Sequence, residues 1–347
     1  MEAAAGRLDT GCSGSGPAAS DSGTRLAADC FASIVAPLRS RFTRRSPTPA
    51  SVGSVFGQYG GERGPLAEGV RNPYNAASMP PVLTTAQVVE NTCPSPSYFL
   101  LRLRLDEAEG CNGRPGQFAM VRGDWGNDPI GPRAFSLMRP NDAHEVSLLG
   151  RVVGAGTERL AGVQPGERLS YLGPLGNPFP TPRSADGPLL LVAGGVGLPP
   201  IHFLLEELSR SPELSARTKV LYGGRSSADI LLRSELERLT SPIYVTEDGS
   251  LGTSGLVTDA LEQELSADCG RSGCEIFACG PEAMLGAVAA QLQDLPHRTW
   301  VCMEAPMACG IGACLGCAIP TTGDEKLKYC CIDGPVFEAD EIQWKHL

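Results

Sequence analysis

Leu190-Leu-Val-Ala-Gly194-Gly195-Val-Gly197-Leu-Pro-Pro200 decides the fold of the larger part of this chain. An apolar run of strand length ends in a glycine turn. Pro199 and Pro200 then stand where a helix opens, a place that needs no backbone donor. Backbone N–H groups at such a start suit a diphosphate. Glu275–Cys279 followed by Gly280 and Pro281 repeats the outline. Further apolar runs at Pro188–Ala193, Lys219–Tyr222 and Ile243–Thr246 read as strands. Ile201–Arg210, Ser234–Leu239, Gly255–Leu265 and Pro281–Leu292 carry helical patterns. This alternation predicts a parallel sheet with helices on both faces across residues 181–298. Gly194, Gly195 and Gly197, with Cys279, Gly280 and Pro281, make its strand ends a candidate dinucleotide site. Each turn alone reads equally well as an ordinary strand-to-helix connection.

Upstream, residues 79–180 change rhythm. Val82–Val89, Tyr98–Leu105, Gln117–Arg122, Ala134–Arg139, Glu145–Val153 and Arg168–Leu172 read as short strands, with one helix at Thr157–Val163. Leu101, Leu103 and Leu105 fall on one side of their strand and Arg102 and Arg104 on the other. The pattern predicts a small antiparallel barrel. Arg133-Ala134-Phe135-Ser136 places a cation, an aromatic and a hydroxyl on one strand. That set suits a diphosphate and a flavin, or an ion pair and a core ring. Gly154-Ala-Gly156-Thr157 offers a second phosphate contact, and Gly173-Pro-Leu-Gly-Asn177 reads as a turn closing the barrel.

Residues 1–78 are different again. They carry eight Arg, no Lys and six acids, and are dominated by Ala, Gly, Ser and Pro without apolar periodicity. Such a segment cannot bury enough surface to offset its ordering entropy, so disorder is expected. Arg44–Arg45 lacks the apolar stretch a twin-arginine signal needs, and the acids argue against a transit peptide. Patterned sequence begins just after Met79, which makes that residue a candidate start.

The whole chain has 347 residues and a formal net charge of −10, which argues against a nucleic-acid partner. Its longest apolar stretch, Leu189–Leu205, is broken by glycines and prolines, so no membrane span is expected. Thirteen cysteines exceed ordinary use, and six fall between Cys302 and Cys331. In Cys309-Gly-Ile-Gly-Ala-Cys314-Leu-Gly-Cys317 the C-x4-C-x2-C spacing matches a plant-type [2Fe–2S] site. Gly310, Gly312 and Gly316 let the backbone fold tightly and aim N–H groups at sulfur. Structural zinc is the alternative, but it prefers two close cysteine pairs. Cys330 and Cys331 compete for the fourth position. The four histidines are too far from any ligand-spaced cysteine for a Rieske site.

Residues 80–347 resemble the electron-transfer subunits of class 1B dihydroorotate dehydrogenase, within the ferredoxin–NADP reductase superfamily. The carrying features are Pro115-Gly-Gln-Phe118, Arg133–Ser136, Val153–Thr157, Gly173–Gly176, Gly194–Gly197, Ala278–Pro281 and the C-terminal cysteine loop with Cys331-Ile-Asp-Gly-Pro-Val-Phe337. Ala134 and Phe135 depart from the residues commoner in that box, and residues 1–78 have no family counterpart. The resemblance implies three modules: an FAD-binding barrel (79–180), an NAD-binding α/β domain (181–298) and a [2Fe–2S] domain (299–347). It assigns FAD to Arg133, Ala134, Phe135, Ser136, Leu149, Gly150, Arg151, Gly156 and Thr157. It selects Cys331 as the fourth ligand beside Cys309, Cys314 and Cys317.

It also implies a partner subunit with FMN, two copies of each, that oxidises dihydroorotate in pyrimidine biosynthesis. Electrons would pass through the cluster and FAD to NAD⁺ in the cytoplasm, with no acid–base residue of this chain required. Ile311 and Leu315, beside the cluster loop, form the candidate docking surface. NADP in place of NAD would want a cation after the second strand, and Gly223-Gly-Arg225-Ser-Ser227 offers one. A related flavin/iron–sulfur reductase subunit, of the sulfide dehydrogenase or ferredoxin:NADP oxidoreductase type, shares these modules. A zinc-stabilised regulatory module without enzymatic activity is the third reading.

Overall fold

A computed structural model of the chain describes residues 80–347 apart from 127, 139–143, 183–186, 270–272 and 294–296. The leader, the candidate start at Met79 and the end of the predicted strand at Arg139 lie outside the described residues.

Six strands form the barrel: β1 (Val82–Thr92), β2 (Tyr98–Leu105), β3 (Phe118–Gly123), β4 (Arg133–Ser136), β5 (Glu145–Arg151) and β6 (Arg168–Leu175), in the order β4-β3-β6-β1-β2-β5. All neighbours are antiparallel, and a bridge between Met138 and Ser147 brings the two edges together. The alternation along β2 works as expected. Leu101, Leu103 and Leu105 are buried in the barrel core, each worth roughly 1.5–3 kcal/mol. Arg102 and Arg104 face outward and pair with Glu145 on β5.

Helix α1 (Ala155–Ala161) starts two residues earlier than the periodicity predicts. The cause is Thr157, whose hydroxyl accepts the Val153 and Gly154 N–H groups at 2.9 and 3.1 Å and so closes the first turn. The Gly173–Asn177 turn also needs correction. β6 runs through Gly173 and Pro174 to Leu175, and Asn177 turns its amide to the carbonyls of Ile332 (3.2 Å) and Asp333 (2.8 Å). The segment ties the barrel to the C-terminal module.

The second sheet is built from β7 (Leu189–Gly194), β8 (Thr218–Gly224), β9 (Ile243–Thr246), β10 (Thr253–Ser254), β11 (Glu275–Cys279) and β12 (Arg298–Cys302), all parallel. Its helices are α2 (Leu198–Leu208), α3 (Pro212–Arg217), α4 (Arg233–Leu239), α5 (Val257–Glu264) and α6 (Glu282–Leu292). Along β7, Leu190 and Val192 pack with α5 and α6, while Leu189, Leu191 and Ala193 pack with α2 and α4. A strand covered on both faces reads as a continuous apolar run, and β7 is buried throughout.

The C-terminal segment holds a hairpin of β13 (Ala318–Pro320) and β14 (Leu327–Tyr329). It also supplies β15 (Val336–Glu338), which pairs antiparallel with β12 at the sheet edge. The sheet therefore crosses the 298/299 division drawn from the sequence.

Candidate functional site

A cleft of about 730 Å³ opens at the C-terminal ends of β7, β8 and β11, with the barrel as its other wall. That volume and position suit a nucleotide ligand. Ala134, Phe135, Ser136, Leu149, Gly150, Arg151 and Thr157 line the cleft from the barrel, and Gly194, Gly195, Gly280 and Pro281 from the sheet. Four residues assigned by sequence to the flavin or the dinucleotide are not on the lining: Arg133, Gly156, Gly197 and Cys279. Arg133 lies directly against Gly156, where a Cβ would strike its guanidinium, and donates to the carbonyls of Ile130 and Gly131 at 3.0 and 2.9 Å. Phe135 is both core and wall, buried edge-to-face on Phe99 with ring centroids 5.8 Å apart.

The two glycine turns meet each other. A Cβ on Gly197 would sit 2.5 Å from the Cys279 carbonyl oxygen, and one on Gly280 would sit 3.1 Å from the Gly194 Cα. No side chain larger than glycine's fits at Gly197 or Gly280. The glycines bring the two turns together as bare main chain, with the Met284 side chain packed against Gly194 and Gly280, and main-chain N–H groups at such turns suit a dinucleotide. Cys279 is buried in register with Cys302 on β12, and the hydrogen bond to the Cys302 thiol, followed by burial, pushes its own thiol well up.

Sequence reasoning named Arg225 but missed its partners Asp229 and Tyr98, and all three lie on the lining. Asp229 is buried, 5% exposed. It takes the Arg225 Nε at 2.8 Å and Nη2 at 3.1 Å, and the Tyr98 hydroxyl from the barrel at 2.6 Å. The Arg225 hydrogen bonds outweigh burial and hold the carboxyl down at about 2. Tyr98 moves the other way, to about 12, through burial and its bond to Asp229. The Arg151 guanidinium lies 5.8 Å over the Tyr98 ring. No local signal joins residues 131 positions apart.

The third wall leads to the cysteines. Cys302, Met303, Glu304, Ala305 and Met307 line the cleft, and Cys309 follows two residues after Met307. Two residues of chain span at most about 7 Å. Cys309, Cys314, Cys317 and Cys331 form two pairs. The Cys317 and Cys331 sulfurs are 3.3 Å apart and buried, and the Cys314 N–H donates to the Cys309 sulfur at 3.4 Å on the exposed side. Gly312, at φ +78°, donates its N–H to the Cys331 sulfur at 3.2 Å. Burial alone would raise the Cys309 thiol, but the N–H groups of Ile311, Cys314 and Ala313 hold it near 7.

Among the described residues no three His, Cys, Asp or Glu side chains converge on one point, as a mononuclear metal would require. Two thiol pairs with N–H donors at sulfur fit a binuclear cluster better than a single zinc. Cys330 points elsewhere, buried, with its thiol toward the Met303 carbonyl at 3.4 Å.

Comparison with known proteins follows this geometry. Residues 304–343 match the family described as the iron–sulfur cluster binding domain of dihydroorotate dehydrogenase B, and residues 191–290 match the oxidoreductase NAD-binding domain. The chain is 35% identical over 234 residues to a protein of Shouchella clausii named dihydroorotate dehydrogenase B (NAD(+)), electron transfer subunit, covering 66% of this chain and 86% of that one. Proteins of the same name from Bacillus velezensis (38% identical; 66% and 86% covered) and Desulforamulus reducens (34%; 67% and 87%) are similar to it too. The fold is similar to that of an NADH-dependent reduced ferredoxin–NADP oxidoreductase, with TM-score 0.64, 23% identity, and 76% and 91% of the two chains covered. The cytochrome b5 reductase domain of Ulva prolifera nitrate reductase is similar at TM-score 0.51 and 22% identity, with 63% of this chain and 97% of that one covered.

Proposed function

The chain belongs to the family of dihydroorotate dehydrogenase B (NAD(+)) electron transfer subunits, and from that premise we propose how its residues carry the electrons. It is the NAD-linked electron-transfer component of an oxidoreductase in pyrimidine biosynthesis. Its cofactors are FAD, [2Fe–2S] and NAD. When bound, the flavin exchanges a hydride and the cluster single electrons, which links a two-electron carrier to a one-electron partner.

The single observation that carries this reading is the short segment from Cys302 to Cys309, which begins on the cleft and ends at the first cluster thiol. Cys309, Cys314, Cys317 and Cys331 are the proposed ligands. Ala134, Phe135, Ser136, Leu149, Gly150, Arg151 and Thr157 form the proposed flavin wall. Arg133 braces that wall through Gly156 from behind. The paired turns of Gly194, Gly195, Gly197, Gly280 and Pro281 are proposed to take the NAD diphosphate, with Cys279 buried against Gly197.

The partner is an FMN-containing subunit that oxidises dihydroorotate, in an assembly of two of each. It docks on the cysteine loop, where Ile311 and Leu315 are 42% and 53% exposed. Among the described residues no helix is long and apolar enough to cross a membrane. A cytoplasmic setting would keep the cluster thiols reduced.

Purification under nitrogen, with metal and flavin analysis, tests this reading. One FAD, two irons and NADH-dependent bleaching of the flavin are expected. A colourless protein holding one zinc overturns it.

A further inference from the structure

The loop after β8 has one cation, Arg225, and at the end of the second strand of such a sheet a cation serves to accept a ribose 2′-phosphate. The structure withdraws it from that task. Arg225 is gripped by both carboxylate oxygens of Asp229 and also donates its own backbone N–H to that carboxylate at 3.2 Å. The loop after β9 is fastened alongside: the Glu247 and Asp248 N–H groups donate to the carbonyls of Gly224 and Arg225, each at 3.1 Å. Glu247 lines the same cleft as Arg225 and Asp229. The guanidinium is thus neutralised by the Asp229 carboxylate, and the exposed Glu247 carboxylate stands on the same stretch of wall. A 2′-phosphate placed here meets a neutralised cation and the like charge of Glu247, which disfavours it. A free hydroxyl meets no such cost.

We propose that Arg225, Asp229 and Glu247 select a dinucleotide whose adenosine ribose keeps its 2′-hydroxyl free, with Asp229 a positioning residue that acts through Arg225. Asp229 has no spare acceptor for the ribose itself, since Tyr98 takes its remaining direction. Selection here is by occupation of the cation. The inference rests on the NAD reading above.

Calorimetric titration of the full chain, loaded with flavin and cluster, separates the two ideas because the probes are redox-inert: ADP-ribose and 2′-phospho-ADP-ribose. The wild-type protein should bind ADP-ribose at least about tenfold more tightly. Asp229→Asn frees Arg225 and should shrink that ratio by about tenfold, chiefly through tighter binding of the 2′-phosphorylated probe, with the gain fading at high salt. Adding Arg225→Gln to Asp229→Asn should restore the ratio. Glu247→Gln, on an exposed side chain that folding does not need, should move the ratio the same way by about two- to threefold.

Equal binding of both probes by the wild type overturns the proposal. So does a ratio unmoved by Asp229→Asn and Glu247→Gln. Failure of the wild type to bind either probe removes the NAD reading itself, and this inference with it.

Discussion

The cysteine loop and the Asp229 corner both surround buried or half-buried acceptors with donors, and they do it by different means. At the loop the donors are main-chain N–H groups: Ala313 and Cys314 serve Cys309 from close by in the chain, and Gly312 serves Cys331 across the loop. At the corner the strongest donors are side chains, one four residues away and one on another module, with the Arg225 backbone N–H beside them. Backbone donors are fixed by the turn itself and cost no side-chain entropy when used. Side-chain donors must be ordered by packing and are lost one substitution at a time. The loop should therefore fail as a unit, and the corner by degrees.

The largest effect tests the loop as a unit. Cys314→Ser leaves one thiol pair without a member and should abolish the cluster, measured as loss of iron and of visible absorbance beyond the flavin bands. NADH oxidation with an artificial hydride acceptor should survive, because the flavin wall lies on the barrel. Retention of two irons would break the assignment of this thiol.

Adjacent residues sharpen it next. Cys331→Ser removes the sulfur that accepts the Gly312 N–H and should cost the cluster as completely. Cys330→Ser removes only a buried thiol bonded to Met303 and should leave iron content intact, at a stability cost of about 1–2 kcal/mol. Reversed outcomes would exchange the roles of the two cysteines.

The contrast also explains what could be read in advance. Cys309, Cys314 and Cys317 were legible because their spacing and glycines are the geometry, with every donor local. The sheet was legible through Leu189–Ala193, where burial on both faces writes a plain apolar run. β15 and the hairpin of β13 and β14 were not, since three-residue strands carry no period and gain their place by pairing with β12 or with each other. Arg225 was legible as a cation after β8, but its tie to Asp229 and Tyr98 was not. Tyr98 reads as one more barrel residue until the fold brings its hydroxyl to a carboxylate 131 positions away.

A milder change tests whether the loop's donors act through backbone shape. Gly312 has φ +78°, and a Cβ there would sit 3.1 Å from the Ile332 side chain. Gly312→Ala should strain the turn by about 1–2 kcal/mol without removing a ligand. Cluster assembly should persist, while loss of iron to a chelator should quicken by about tenfold. An unchanged rate would mean that the turn does not hold Cys331 in place.

At the corner, Tyr98→Phe deletes one donor to a charged acceptor and leaves Arg225 in place. Chemical denaturation should show a loss of about 1 kcal/mol, with no change in iron content. A change in iron content would join two regions that the comparison separates.

The smallest effect is the pH dependence of Asp229. Its folded pKa, about 2, lies below the ordinary 3.8, so its contribution to stability is full above pH 5 or so and drains away as pH falls from 4 toward 2. The partner guanidinium is solvent-exposed, its side chain 62% accessible, which limits the contribution to about 1 kcal/mol. Urea denaturation of the wild type and Asp229→Asn should therefore differ most near pH 6, with the gap narrowing steadily toward pH 3. A gap constant with pH would mean that Asp229 acts through packing alone. The corner would then not be a charge device at all, and its contrast with the cysteine loop would reduce to one of position in the chain.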